Sequence, residues 1–166
     1  MRVSDVDRAG GRVGGAILAR AVMAVALLWA GAAGAQSVQV TGMVAHPGPV
    51  ALATLKPVSV AASFHTMHGA EAGQWSGPLL LDVLQQASIT DAPGKRTHMR
   101  HVIIATGADG YGAAIAIGEI DPKGAGKQVI VAVAQDGKPL ATPRLVVPGD
   151  ASFTRGVRDL VGLEVR

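Results

Sequence analysis

From residue 37 onward the chain is a series of short apolar or alternating stretches, separated by Gly, Pro and Asp clusters. Residues 37–44 (SVQVTGMV) alternate and predict a strand. A His46-Pro47-Gly48-Pro49 turn follows, and Pro and Gly are the strongest local breaks. Residues 50–55 predict a short strand and a helical turn that Pro57 ends. Residues 58–64 (VSVAASF) predict a second strand. Residues 65–73 (HTMHGAEAG) have no apolar period and read as a loop, and residues 74–77 as a short extended piece.

Residues 79–87 (LLLDVLQQA) are the best helix, with Leu80, Leu81, Val83 and Leu84 on one stripe and Pro78 at its first turn, where a missing N–H is tolerated. Residues 90–96 read as a polar loop. Residues 98–105 predict a strand, 107–110 a turn, 111–117 a strand, and 118–120 one helical turn before Asp121-Pro122. Residues 128–134 (QVIVAVA) are apolar throughout, as in a strand covered on both faces. An Asp136-Gly137 tight turn follows, then strands at 144–147 and 162–165. Many short strands with one real helix predict an α+β domain of mixed, twisted β-sheets with few short helices.

The N-terminus is of another kind. Arg2, Arg8, Arg12 and Arg20 precede the apolar run 21–29, and Ala33-Gly34-Ala35 has the small-x-small form of a cleavage site. The run is too short to span a bilayer. Residues 1–35 are therefore expected to be a signal peptide cut before Gln36, and residues 36–166 the mature domain. No Arg-Arg pair occurs, which points to the general secretory route and a periplasmic or secreted protein with no membrane segment after cleavage.

The charge picture changes with that removal. The whole chain carries 15 Lys+Arg and 12 Asp+Glu. Taking away four arginines with Asp5 and Asp7 leaves eleven against ten, a net of +1. No basic face remains to mark a nucleic-acid partner. There is no cysteine, which excludes a disulfide framework, a Cys nucleophile and any Cys-ligated metal.

Three groups of residues carry candidate chemistry. In Gly107-Ala108-Asp109-Gly110-Tyr111, flanking glycines expose backbone N–H groups to a ligand. Equally, Asp109 can bond its own backbone in a plain turn. In residues 148–158 (PGDASFTRGVR), Arg155 and Arg158 suit an anionic group, or stand as solvated charges. The third group is His65-Thr66-Met67-His68, whose His and Met side chains favour copper. His98 and His101 on a strand would point to opposite faces. No HExxH and no Gly-x-Ser-x-Gly elbow is present, and no residue is assigned as catalytic or as a metal ligand.

Taken in order, TGADGY and EIDP (106–122), VAVAQDGKPL (131–140) and RLVVPGD with RGVRDLVGLEV (144–165) resemble the oxidoreductase molybdopterin-binding domain of the sulfite oxidase superfamily. VTGMV (40–44) and WSGPLLLDVLQQA (75–87) extend the likeness to most of the mature chain. It is similar to the small exported members that consist of this domain. The resemblance implies a sulfite-oxidase-like α+β fold and molybdopterin as cofactor. It places the loop of His65, Met67 and His68 where the family has its molybdenum-ligating cysteine, and Arg155 and Arg158 in the segment that contacts the cofactor. Asp109 and Tyr111 complete the expected pocket. With the thiolate missing, the expectation is an exported domain without an intact molybdenum centre that binds a ligand or a periplasmic redox partner through the inherited pocket. The alternative is a periplasmic copper-binding accessory protein using His65, Met67 and His68.

Overall fold

The alternating stretch that begins at Ser37 becomes an interior strand of its sheet, with Val38 and Val40 fully buried and Ser37, Gln39 and Thr41 exposed. The computed structural model describes residues 36–67, 69–91, 93–95 and 97–166; the leader predicted for residues 1–35 lies outside the described residues. Among them the strands are β1 (Ser37–Gly42), β2 (Gly48–Ala51), β3 (Pro57–Thr66), β4 (Gly69–Pro78), β5 (Val102–Gly107), β6 (Gly112–Ala116), β7 (Ile130–Gln135), β8 (Lys138–Val146) and β9 (Leu160–Val165). Helices α1 (Leu80–Gln86) and α2 (Ile117–Ile120) join them.

The strands form two sheets. One has the order β2-β1-β9-β5-β6, the other β3-β4-β7-β8. The β1–β9 pair is parallel and the other named pairs are antiparallel, so the α+β class with a mixed sheet holds. The main core joins the first sheet to α1 and to one face of β7–β8, through Ile103, Ile115, Leu163, Leu80, Leu84 and Val131. A smaller core on the other face of the second sheet gathers Val60, Phe64, Trp75, Ile130 and Val146. β7 therefore sends Ile130 and Ala132 to one core and Val131 to the other. Its unbroken apolar sequence follows from that position.

α1 buries Leu80, Val83 and Leu84 completely, each contributing roughly 1.5–3 kcal/mol of apolar burial. Pro78 does not open it. Leu79 bridges to Ile130, which keeps the chain extended one residue further, and Pro78 ends β4. Next to it, a Cβ on Gly77 would lie 2.0 Å from the Val131 carbonyl oxygen. Only glycine lets β4 and β7 cross so closely.

Several expected boundaries move, among them that of β8, which starts at Lys138 and not at residue 144. The stretch 65–73 is not a loop, because β3 runs through Thr66, β4 starts at Gly69, and the two arms pair from Thr66↔Gly69 back to Pro57↔Pro78. Cross-strand partners supply what the small, weakly strand-forming residues of 69–73 lack locally. Residues Thr97–Arg100 form a 3-10 turn instead of the start of a strand. Pro57 begins β3, at the first position of an edge strand where its missing N–H is tolerated.

Candidate functional site

Between β8 and β9 the chain leaves both sheets as a strap, residues 148–158, interrupted by a 3-10 turn at Phe153–Arg155. Three elements fasten it. The His65 N–H at the end of β3 donates to the Ala151 carbonyl at 3.0 Å. The Tyr111 hydroxyl donates to the Thr154 carbonyl. Val157 and Leu145 of β8 exchange N–H···O bonds of 2.8 and 3.3 Å. The Gly107–Tyr111 turn and the strap, far apart in sequence, therefore meet.

Within the turn, Asp109 serves its own backbone. Its carboxylate accepts the Tyr111 N–H at 2.9 Å, and Gly110 at φ +82° supplies the left-handed position such a turn needs. Of the two readings open for Asp109, the structural one describes its contacts. Tyr111 is 46% exposed and reaches the strap with its hydroxyl.

The two strap arginines differ. Arg155 donates to both oxygens of Asp150, from Nε at 2.9 Å and Nη2 at 2.7 Å, and from Nη1 to both oxygens of Glu119 at 3.0 and 2.9 Å. Lys127 approaches Asp150 at 3.4 Å and Glu119 at 3.9 Å. Two cations thus meet two carboxylates. The hydrogen bonds from Arg155 are the largest cause holding the Asp150 carboxyl below its ordinary value of 3.8. In return those from Asp150, then Glu119, raise the guanidinium of Arg155.

Arg158 lies on the other side of the strap. Its guanidinium rests 5.7 Å from the Phe153 ring centroid and reaches Glu71 at 3.4 Å, with the side chain 52% exposed. Arg144 of β8 holds the same Glu71 at 2.8 Å and stacks on Trp75 and Phe153, at 4.9 and 5.5 Å. Phe153 in turn meets Phe64 edge-to-face at 5.1 Å. Here two guanidiniums share one carboxylate over aromatic faces, an arrangement favoured by the ring quadrupole.

The His65 side chain is on the exposed face of β3, and Met67 caps the β3–β4 hairpin at 92% exposure. His68 lies outside the described residues. His98 faces Asp121 at 3.8 Å, while buried His101 contacts Asp91 at 2.8 Å and the Arg166 carbonyl at 3.3 Å. These two histidines have separate partners on a 3-10 turn and just after it, in place of the two strand faces expected. Among the described residues no three His, Cys, Asp or Glu side chains converge on a common point.

The residues that pattern reading missed are the strap's partners: Glu71, Glu119, Lys127, Arg144, Asp150 and Phe153. Only Asp150, five residues before Arg155 and beside the Pro148-Gly149 break, carried a local signal. Glu119 is separated from Arg155 by 36 positions and Glu71 from Arg144 by 73.

Two β-sheets, two cores and a strap fastened across their edges define a mixed α+β domain with its polar cluster gathered on one irregular segment. Residues 32–166 match the family described as the oxidoreductase molybdopterin binding domain, and the chain belongs to that family. No curated protein matches the chain.

Proposed function

We infer that this protein is an exported member of the family that holds no intact molybdenum centre, and that it acts as a binding domain for a ligand or a periplasmic redox partner. The observation that carries this reading is the state of Arg155. A guanidinium meant for a cofactor's phosphate must keep donors free for it, whereas this one is bonded to Asp150 and Glu119 at 2.7–3.0 Å. The donor set agrees, since a chain with no cysteine has no thiolate for the metal. His65 and Met67 are poor substitutes for a thiolate at high-valent molybdenum, because imidazole and thioether are neutral ligands and bring no negative charge to the metal. The residues present do not fit the metal end of the cofactor, and no redox step is assigned to them. The surface left for a ligand or partner is the rim of Tyr111, Phe153 and Arg158.

Export accounts for residues 1–35, and the general secretory route delivers chains unfolded and without cofactor. The test is to express the full chain in a host that makes molybdopterin, recover it from the periplasm, and measure its metals and N-terminus. The expected product begins at Gln36 and carries no stoichiometric molybdenum. One molybdenum per chain would overturn the reading. A copper-dependent rise in Tm that is lost in Met67→Leu would instead establish the copper-binding alternative at His65, Met67 and His68.

A further inference from the structure

β3 is the outer strand of its sheet, paired with β4 alone. Its free edge can be assigned residue by residue. In an antiparallel ladder, the N–H and C=O of alternate residues point to the same side. His65 directs its N–H away from β4, to Ala151. Gln74, the partner of Ala61, directs both its backbone groups away from β3, to Asp136, at 2.7 and 2.8 Å. The odd-numbered residues of β3 therefore point outward. Ser59, Ala61 and Ser63 present three N–H and three C=O groups with no partner strand among the described residues.

Exposed edges of this kind are normally guarded by lysine, an inserted proline, a bulge or a covering loop. The strap covers only the His65 end. Between Pro57 and Thr66 there is no Asp, Glu, Lys or Arg, and the β3–β4 register runs without a bulge. On the exposed face, Ser59, Ala61 and Ser63 carry nothing larger than a hydroxymethyl group. An open hollow of about 480 Å³, lined by Ala61, Ser63, Ala72 and Gln74 among others, lies beside them. That hollow lies over the β3–β4 face, and at the edge itself no described residue bonds to the outward groups of Ser59, Ala61 and Ser63.

We propose that this edge pairs with the same edge of a second copy of the chain, antiparallel about a two-fold axis through Ala61. The outward residues read Ser-Ala-Ser in either direction, so Ser59 meets the partner's Ser63, and Ala61 meets the partner's Ala61. A two-fold contact sets like against like, and an uncharged strand is what such a contact requires. The pairing also limits itself. In this register Pro57, which has no N–H, falls opposite the partner's His65, whose N–H is already given to Ala151. Six hydrogen bonds form between these stops and join two four-stranded sheets into one of eight. So short a seam belongs to the small-interface class, and the dimer forms and dissociates readily.

The test is sedimentation equilibrium over a wide concentration range on protein exported from the full chain, with amide exchange read in parallel. The expected result is a monomer–dimer equilibrium in which the Ser59, Ala61 and Ser63 amides gain protection as concentration rises. Ala61→Pro removes the two donors on the axis and raises the dissociation constant by roughly thirtyfold, two net hydrogen bonds' worth. An edge strand accepts proline where the N–H points outward, so Tm and circular dichroism verify the fold. Ala61→Lys sets two charges face to face and also yields monomer. A native chain that stays monomeric throughout overturns the proposal and leaves the edge to a strand of another protein. A dimer that survives both variants overturns it as well, because the contact then lies elsewhere.

Discussion

Arg155 and Arg158 stand three residues apart on one strap and occupy opposite electrostatic situations. Arg155 sits in a set of two cations and two carboxylates, and its partner Asp150 has a side chain only 14% exposed. Arg158 shares Glu71 with Arg144, so its surroundings carry one positive charge in excess, and half of its side chain is in water. Residue type and spacing treat the two alike. What separates them is where the fold places acids: Glu119 comes from α2 and Glu71 from β4. Arg155 is therefore a clamp that ties the strap to α2, and Arg158 is the more exposed cation, sharing one carboxylate with Arg144.

The sharpest way to break this comparison is to remove each guanidinium in turn. Arg155→Ala leaves the poorly solvated Asp150 with only Lys127, and is expected to lower stability by about 2 kcal/mol, the scale for lost hydrogen bonds to a charged group. The measurement is the urea midpoint at unchanged m value. A cost no larger than that of Arg158→Ala would remove the distinction.

Acid sharpens the comparison from the other side. Because Arg155 holds the Asp150 carboxyl below 3.8 in the folded protein, the unfolded chain binds that proton more readily. The stabilisation is fully present above about pH 4 and fades as pH falls through the folded value. Asp150→Asn should be less stable at neutral pH and should lose less stability on acidification. Equal acid sensitivity in both proteins would show that Asp150 is not the titrating group. Smallest of all, Arg158→Ala is expected to change stability by no more than about 0.5 kcal/mol, as for exposed ion pairs, in the same urea experiment.

How much of this was legible beforehand varies by element. Residues 79–87 gave α1 to within a residue at each end, because three of its apolar positions are buried together. The unbroken QVIVAVA run revealed a strand covered on both faces. The Asp136-Gly137 turn is visible in both sequence and backbone, with φ of 49° and 74°. The hairpin arm at 69–73 was not legible, since Gly-Ala-Glu-Ala-Gly has no alternation of size and takes its strand form from β3. For the candidate site, the meeting of the 107–111 turn with the strap was anticipated from the family resemblance. The contents of that meeting were not. Asp109 bonds within its turn, Arg155 is taken by acids distant in sequence, and the Glu71–Arg144–Phe153 group went unnoticed because each member belongs to a different element.

The position of β9 has a consequence in time. In the five-stranded sheet it lies between β1 and β5, so before Leu160–Val165 is available that sheet consists of two separate hairpins, β1–β2 and β5–β6. Isolated two-stranded hairpins are marginal in water, and the parallel β1–β9 pairing closes a loop of nearly the whole domain, a slow kind of contact to form. The four-stranded sheet, complete by Val146, can therefore form first, while the two hairpins of the other sheet wait for β9 to join them.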